Sequence, residues 1–270
     1  MKVTFLGTGT SQGVPPIGCR CEVCSSQDFK DKRLRVSIHV EWEGESIVVD
    51  SGPDFRYQMM RAGIEQIDAL LFTHEHRDHT AGLDDIRPYN FKQAAEIPVF
   101  LHERVFKSFQ NQFDYIFQPV PYPGIPQIDW NLIDGAFKTP ANHRVETVNV
   151  MHFKLPVIGF VFNKFAYVTD ANFISESEKE KLKGMDVLVL NALRRESHIS
   201  HFTLAEATAL AIELGAKQTY FTHMSHQIGL HEDVCAELPE GIDLAFDGLS
   251  FELPDRLVAE DVIGRPEIYG

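Results

Sequence analysis

Residues 73–82 read THEHRDHTAG, and they follow IDALLFT, an apolar run with the character of a buried strand. Along an extended segment residues i and i+2 share a side, so His74 and His76 project together. Asp78 and His79 follow at once, after a strand expected to end near Thr73. A solvated loop has no need for four metal-ligand side chains crowded within six residues at the end of a core strand. A metal site does need them, because imidazole and carboxylate donors must be held on a rigid element. Four residues cannot complete two metal sites, so the fold has to bring further donors to the same strand end.

Three residues stand in the same relation to an apolar run. His152 closes VETVNVMHF, Asp170 closes FAYVTD, and His223 follows QTYFT. Each alone would pass for a capping or surface residue. Together with the 74–79 cluster they have the makings of a dinuclear site along one edge of the core.

The pattern around these residues gives the layers. Strands are expected at 2–7, 36–42, 46–50, 67–73, 98–102, 145–153, 159–163, 164–170, 186–192, 218–222 and around 243–252. Gly44-Glu45 and Asn163-Lys164 lie between strand-like runs and suggest hairpins. Helices are expected at 53–62, 103–113, 175–183 and 203–214. In the last of these Thr203 and Glu206 form a capping-box pattern and Gly215 marks the end. Strands dominate the first half, and helices fall between the later strands. This order predicts an α+β four-layer αββα sandwich, two packed mixed β-sheets with helices outside, rather than a doubly wound sheet. No repeat, low-complexity tract or polar linker interrupts residues 1–270, so a single domain is expected. The Pro-rich PVPYPGIP, 119–126, reads as a long exposed loop.

The net charge is −14, and no Lys/Arg run exceeds two residues. An extended nucleic-acid footprint usually needs a basic face, so that partner is not expected, whereas a small phosphate ligand is compatible. The opening MKVTFLGTGT enters an alternating strand pattern without the arrangement of a leader peptide, and no apolar run reaches the ~18 residues of a membrane span. A cytoplasmic protein with no membrane partner is the expectation, and a homodimer stays open. In a reducing compartment Cys19, Cys21 and Cys24, crowded into CRCEVC, read as metal ligands rather than a disulfide framework. They lack one donor for a tetrahedral zinc; a histidine or Cys235 could supply it.

His-x-His-x-Asp-His with distant His, Asp and His at strand ends resembles the metallo-β-lactamase superfamily. The resemblance runs from residue 2 to about 252 and includes FLGTGTSQGVP and VVDSGPDFR. It implies two divalent catalytic metals, zinc or manganese. His74, His76 and His152 would hold one, and Asp78, His79 and His223 the other, with Asp170 bridging. The di-iron branch carries Glu where this chain has His76, and the antibiotic-degrading branch commonly lacks the histidine present here as His79. The full set is typical of hydrolytic members such as ribonuclease Z and small phosphodiesterases.

The knuckle is similar to that of the cyclic-phosphate phosphodiesterases of the PhnP branch, whose three cysteines join a histidine three residues after the last catalytic ligand. That position is His226, giving a structural zinc on Cys19, Cys21, Cys24 and His226. The pyrroloquinoline-quinone biosynthesis B protein shares this feature. The resemblance therefore implies hydrolysis of a small, cyclic phosphodiester, with a thioester or lactone hydrolase or a cofactor-biosynthesis protein as the alternative.

The resemblance implies as catalytic residues Asp78, within the cluster, and His201, which matches the histidine that in ribonuclease Z and related small phosphodiesterases lies shortly before such a helix, contacts the phosphate and assists the leaving group; His198 is the alternative. Asp50, closing VVD, is a candidate to orient a metal-binding histidine. His39 reads as structural, and His102, His143 and His231 carry no assignment.

Overall fold

Short apolar runs that are buried on both faces decide the architecture, because such a strand has to lie between two covering layers. The computed structural model describes residues 1–118 and 124–254, so most of PVPYPGIP lies outside the described residues. The strands are β1 (Lys2–Gly7), β2 (Ser37–Trp42), β3 (Glu45–Val49), β4 (Ala69–Leu71), β5 (Ile97–Leu101), β6 (Ile128–Leu132), β7 (Phe137–Lys138) and β8 (Arg144–His152). They continue with β9 (Leu155–Phe162), β10 (Phe165–Tyr167), β11 (Phe173–Ile174), β12 (Val187–Asn191), β13 (Gln218–Thr222), β14 (Ile242–Leu244) and β15 (Ser250–Glu252). The helices are α1 (Glu22–Ser25), α2 (Phe55–Ala62), α3 (Arg77–Thr80), α4 (Arg87–Gln93), α5 (Glu103–Gln112), α6 (Glu176–Leu182), α7 (Leu204–Leu214) and α8 (His231–Glu237).

One sheet runs β15-β1-β2-β3-β4-β5-β6, and the other runs β11-β8-β9-β10-β12-β13-β14 with β7 paired to β8. Both are mixed. β3 to β6 are mutually parallel, as are β10, β12, β13 and β14, while β1–β2–β3 and β8–β9–β10 pair antiparallel.

Alternation along each strand splits its side chains between layers. Ile47 and Val49 of β3 meet Phe160, Tyr167 and Val189 between the sheets, whereas Val48 joins Phe55 of α2 and Val105 and Phe109 of α5 outside. Leu188 and Leu190 of β12 face outward against Leu204, Ala207 and Leu210 of α7. Helix, sheet, sheet, helix: the expected αββα sandwich.

Several local features differ from expectation. The first hairpin turns at Glu43-Gly44, one residue early, because Trp42 pairs with Glu45 and both turn residues are left-handed (φ 47° and 88°), as a two-residue hairpin favours. β4 ends at Leu71 rather than near Thr73: the Thr73 N–H donates to Asp50 Oδ1 at 2.9 Å instead of continuing the ladder. β6 was not expected from the pattern, since IDWNL is an edge strand whose side chains are at best half-buried. The α7 capping box forms as the pattern indicated, and Gly215 ends the helix at φ 63°.

Candidate metal centre

The parallel strands of both sheets carry their C-terminal ends to one rim, the usual place for a site in an open α/β sheet. Asp50 follows β3, His74 and His76 follow β4, His152 ends β8, Asp170 follows β10 and His223 follows β13. Asp50, Asp170 and His223 adopt φ of 63°, 54° and 56°. Non-glycine residues in that region are strained and cluster at functional sites. Tight backbone packing holds the turns: a Cβ on Gly52 would collide with the Asp78 carbonyl, which explains glycine in DSGPD.

The donors converge. His79 Nε2 lies 3.4 Å from Asp78 Oδ2 and 3.3 Å from Asp170 Oδ1. His223 Nε2 lies 3.5 Å from Asp78 Oδ2 and 3.3 Å from Asp170 Oδ2. His74 Nε2 is 3.8 Å from Asp170 Oδ2, and the rings of His74 and His152 stand 4.7 and 5.1 Å from that of His76. The ligand atoms of Asp78, His79, Asp170 and His223 all lie within 4.8 Å of one another, as do those of His74, His76 and Asp170. Those of His152, Asp170 and His201 form a third such group, and Asp170 is common to all three.

Neighbouring groups set which ring nitrogen faces the cluster. Thr73 donates its only hydroxyl proton to Asp50 Oδ2 (2.8 Å), so its oxygen accepts from His74 Nδ1 (3.0 Å). Asp50 Oδ2 also accepts from His79 Nδ1 at 2.7 Å, and the Ser200 carbonyl accepts from His152 Nδ1 at 2.8 Å. In each ring the proton sits on Nδ1 and Nε2 is left to bind. Asp50 thus orients His79 directly and His74 through Thr73.

The Nε2 atoms of His74, His79 and His223 are buried without a hydrogen-bond partner. Orphaned buried polar atoms are costly, and a bound cation would satisfy them. The imidazole and carboxylate set fits zinc or manganese.

Charge follows the same logic. Burial opposes the proton on His79, but Asp170, Asp78 and Asp50 outweigh it and hold this imidazole well above the ordinary histidine range. Burial likewise opposes ionisation of Asp170, yet His223 and His79 draw it well below the carboxylate range. Burial depresses His74 well below its ordinary value, reinforced by His79. The rim therefore concentrates carboxylate charge against imidazoles, and bound cations would displace the remaining proton.

His201, eight per cent exposed, places Nε2 3.2 Å from Asp170 Oδ2, while its Nδ1 lies 3.1 Å from Ser200 Oγ and 3.2 Å from His198 Nδ1. Burial takes it down to about 4, against the pull of Asp170. His198 stands behind His201, one shell further from the cluster.

Across the FTHMSHQ stretch the two histidines part. His226 Nδ1 lies 3.2 Å from Cys21 Sγ and 3.5 Å from Cys19 Sγ, and Cys24 completes a group within 4.8 Å. Between them Met224 bonds Thr8 and Thr10, tying β13 to the loop after β1. Cys235 is elsewhere, on α8, with its sulfur 3.7 Å from His231 Nε2.

The remaining histidines serve structure. His39 bonds Ser46 (2.8 Å), His102 caps α5 by accepting the Arg104 N–H (3.1 Å), His143 stacks on Trp42 and pairs with Glu45, and His231 accepts from Arg33 (3.2 Å). The sequence reading missed Thr73 and Ser200. Thr73 sat in view beside His74, but the Ser200 contact is a backbone carbonyl, which leaves no signature.

Comparison with known proteins places this geometry in a family. The model of the beta-lactamase superfamily domain matches residues 45–224. A crystal structure of a diphosphatase from the PhnP family is 40% identical with a TM-score of 0.88, covering 94% of this chain and 98% of that one. Zinc-bound PqqB from Methylobacterium extorquens, at 19% identity, shares the fold with a TM-score of 0.76 over 94% of this chain and 100% of that one. An octanoyltransferase of Porphyromonas gingivalis is 38% identical over 260 residues, 95% of this chain but 52% of that protein, so the chain spans about half the relative's length. Fold and rim define a domain of the metallo-β-lactamase class, and the chain belongs to that superfamily and, within it, to the PhnP family. Among the described residues no helix is long and apolar enough to cross a membrane.

Proposed function

We propose that the chain is a metal-dependent phosphodiesterase that hydrolyses small, cyclic phosphodiesters. One observation carries the reading: donors from separate strand ends converge, the Nε2 atoms of His74, His79 and His223 lie buried without a hydrogen-bond partner, and a further imidazole, His201, stands at the edge of the cluster. His74, His76 and His152 would hold one divalent cation and Asp78, His79 and His223 the other, with Asp170 shared; zinc or manganese suits both. When bound, such cations make water acidic and neutralise charge on phosphoryl oxygens. The protein's own residues do the rest. Asp50 and the Ser200 carbonyl hold the imidazoles in their binding tautomer. His201, kept neutral at pH 7 by burial, presents an Nε2–H that can hydrogen-bond a phosphoryl or leaving oxygen as negative charge develops there. Cys19, Cys21, Cys24 and His226 would hold a structural zinc that braces the strand end bearing His223.

The 40% identity to a PhnP-family diphosphatase supports phosphorus chemistry, and the net charge of −14 supports a small substrate over folded RNA. The octanoyltransferase relative favours a second reading, hydrolysis of an acyl thioester on the same scaffold. Zinc- and manganese-loaded protein should be assayed on bis-p-nitrophenyl phosphate, 2′,3′-cyclic nucleotides and an acyl thioester. The phosphodiesters should be cleaved, with His76→Ala and His201→Ala slower by about a hundredfold or more. Cleavage of the thioester alone would establish the second reading instead.

A further inference from the structure

Beside His76 and His152 opens a cavity of about 400 Å³ whose other walls are Phe153, Lys154, Leu155, Ile199 and Ser200. This size suits a small-molecule site. Phe153 is 50% exposed and Ile199 65% exposed. Single exposed apolar side chains are ordinary, but two facing one cavity at the rim of a polar centre mark a binding surface.

The walls are built, not incidental. Phe153 occupies the two-residue turn between β8 and β9 at φ 58°, a backbone conformation that favours glycine, yet the chain places a large ring there. The Phe153 N–H donates to Asn172 Oδ1 at 2.7 Å, and Asn172 Nδ2 donates to the Ile199 carbonyl at 3.1 Å. One amide therefore fixes both walls, which come from different loops. The Ile199 loop is also the one whose Ser200 carbonyl orients His152, so wall and ligand are held in register.

The walls present few polar edges. Ser200 Oγ is engaged with His198 and His201. Lys154 Nζ lies 5.3 Å from the centroid of the Phe153 ring and forms no ion pair among the described residues. Stacking on such a wall accepts any base, because every base offers a π-face.

We propose that this cavity seats a planar aromatic group of the substrate's alcohol portion, a nucleobase, stacked on Phe153 and covered by Ile199, without reading base identity. The inference rests on the phosphodiesterase reading and narrows it to nucleoside cyclic phosphates.

The test compares kcat/KM for the four 2′,3′-cyclic nucleotides with that for the base-free methyl riboside 2′,3′-cyclic phosphate. Calorimetric binding of adenosine 3′-monophosphate and methyl riboside 3′-phosphate runs alongside. The four nucleotides should agree within about threefold, and both nucleotide-to-base-free ratios should reach about tenfold, the scale of one stacked base. Ile199→Ala should lower them, and Phe153→Gly should bring both near one. Phe153→Gly suits its φ, so its melting temperature should match or exceed the wild type and its loss cannot be misfolding. Ratios near one in the wild type, ratios unchanged in Phe153→Gly, or discrimination among bases beyond tenfold would overturn the subsite while leaving phosphodiester cleavage intact. Failure to cleave any phosphodiester would overturn the phosphodiesterase reading and this inference with it.

Discussion

Asp50 touches no donor atom that faces the cluster, yet its two oxygens set the protonation of His79 and, through Thr73, of His74. Asp50→Asn removes the anion that holds the Nδ1 proton of His79. Groups of this kind typically contribute 10–100-fold to metal affinity, so zinc binding by competition titration should weaken by roughly that factor. An unchanged affinity would show that the rim orients its imidazoles without Asp50. His39 offers a test away from the metal centre. Ser46 gives its hydroxyl proton to the Gln66 carbonyl, so His39 Nε2 is the donor and the buried ring is neutral. Burial pushes His39 down to about 4 from 6.5. With a folded value below the unfolded one, His39 costs nothing above pH 6.5. Stability is lost as pH falls from 6.5 toward 4, where only the unfolded chain takes the proton. By pH 4.5 the loss is about 2–3 kcal/mol, and His39→Gln should lose that much less between pH 7.5 and 4.5 in denaturant titrations. Superimposable profiles would contradict the assignment.

Among the elements, α7 shows most plainly how local chemistry specifies structure. Thr203 accepts from the Glu206 N–H while Glu206 accepts from the Thr203 N–H, the reciprocal pair readable in TLAE. Thr203→Ala should cost about 1 kcal/mol in chemical denaturation, and no change would mean that packing alone sets the helix start. The strands that form the core were legible because both of their faces are apolar. β6 and β11 were not, being short edge segments whose stability comes from their partners. The early end of β4 was hidden for another reason: a side chain, Asp50, replaces the next ladder bond. The convergence of the candidate donors was readable because His74, His152, Asp170 and His223 close apolar runs and His76, Asp78 and His79 crowd after the first, whereas the Asn172 bridge between Phe153 and Ile199 is a long-range contact with no local pattern.

At the scale of the whole molecule, the two sheets meet face to face over Phe160, Phe162, Phe165 and Tyr167, and their parallel strands end at one rim. The rim is precise only while both sheets stay in register, so Phe160→Ala should cost about 3–5 kcal/mol. The thiol cluster adds a second fastening, joining the loop after β1 to the segment that follows His223. Cys19→Ser should lower bound zinc and reduce occupancy of the histidine–carboxylate rim, read by elemental analysis; unchanged zinc would remove the cluster from the account. The proposed metal assignment gives His223 and His226, three residues apart, to different sites. Anomalous diffraction at the zinc edge from crystals of the zinc-loaded protein tests it most directly. Two ions should appear at the rim, sharing Asp170 and including His223, and a third on Cys19, Cys21, Cys24 and His226. One ion held by His223 and His226 together, or a rim without zinc, would contradict it.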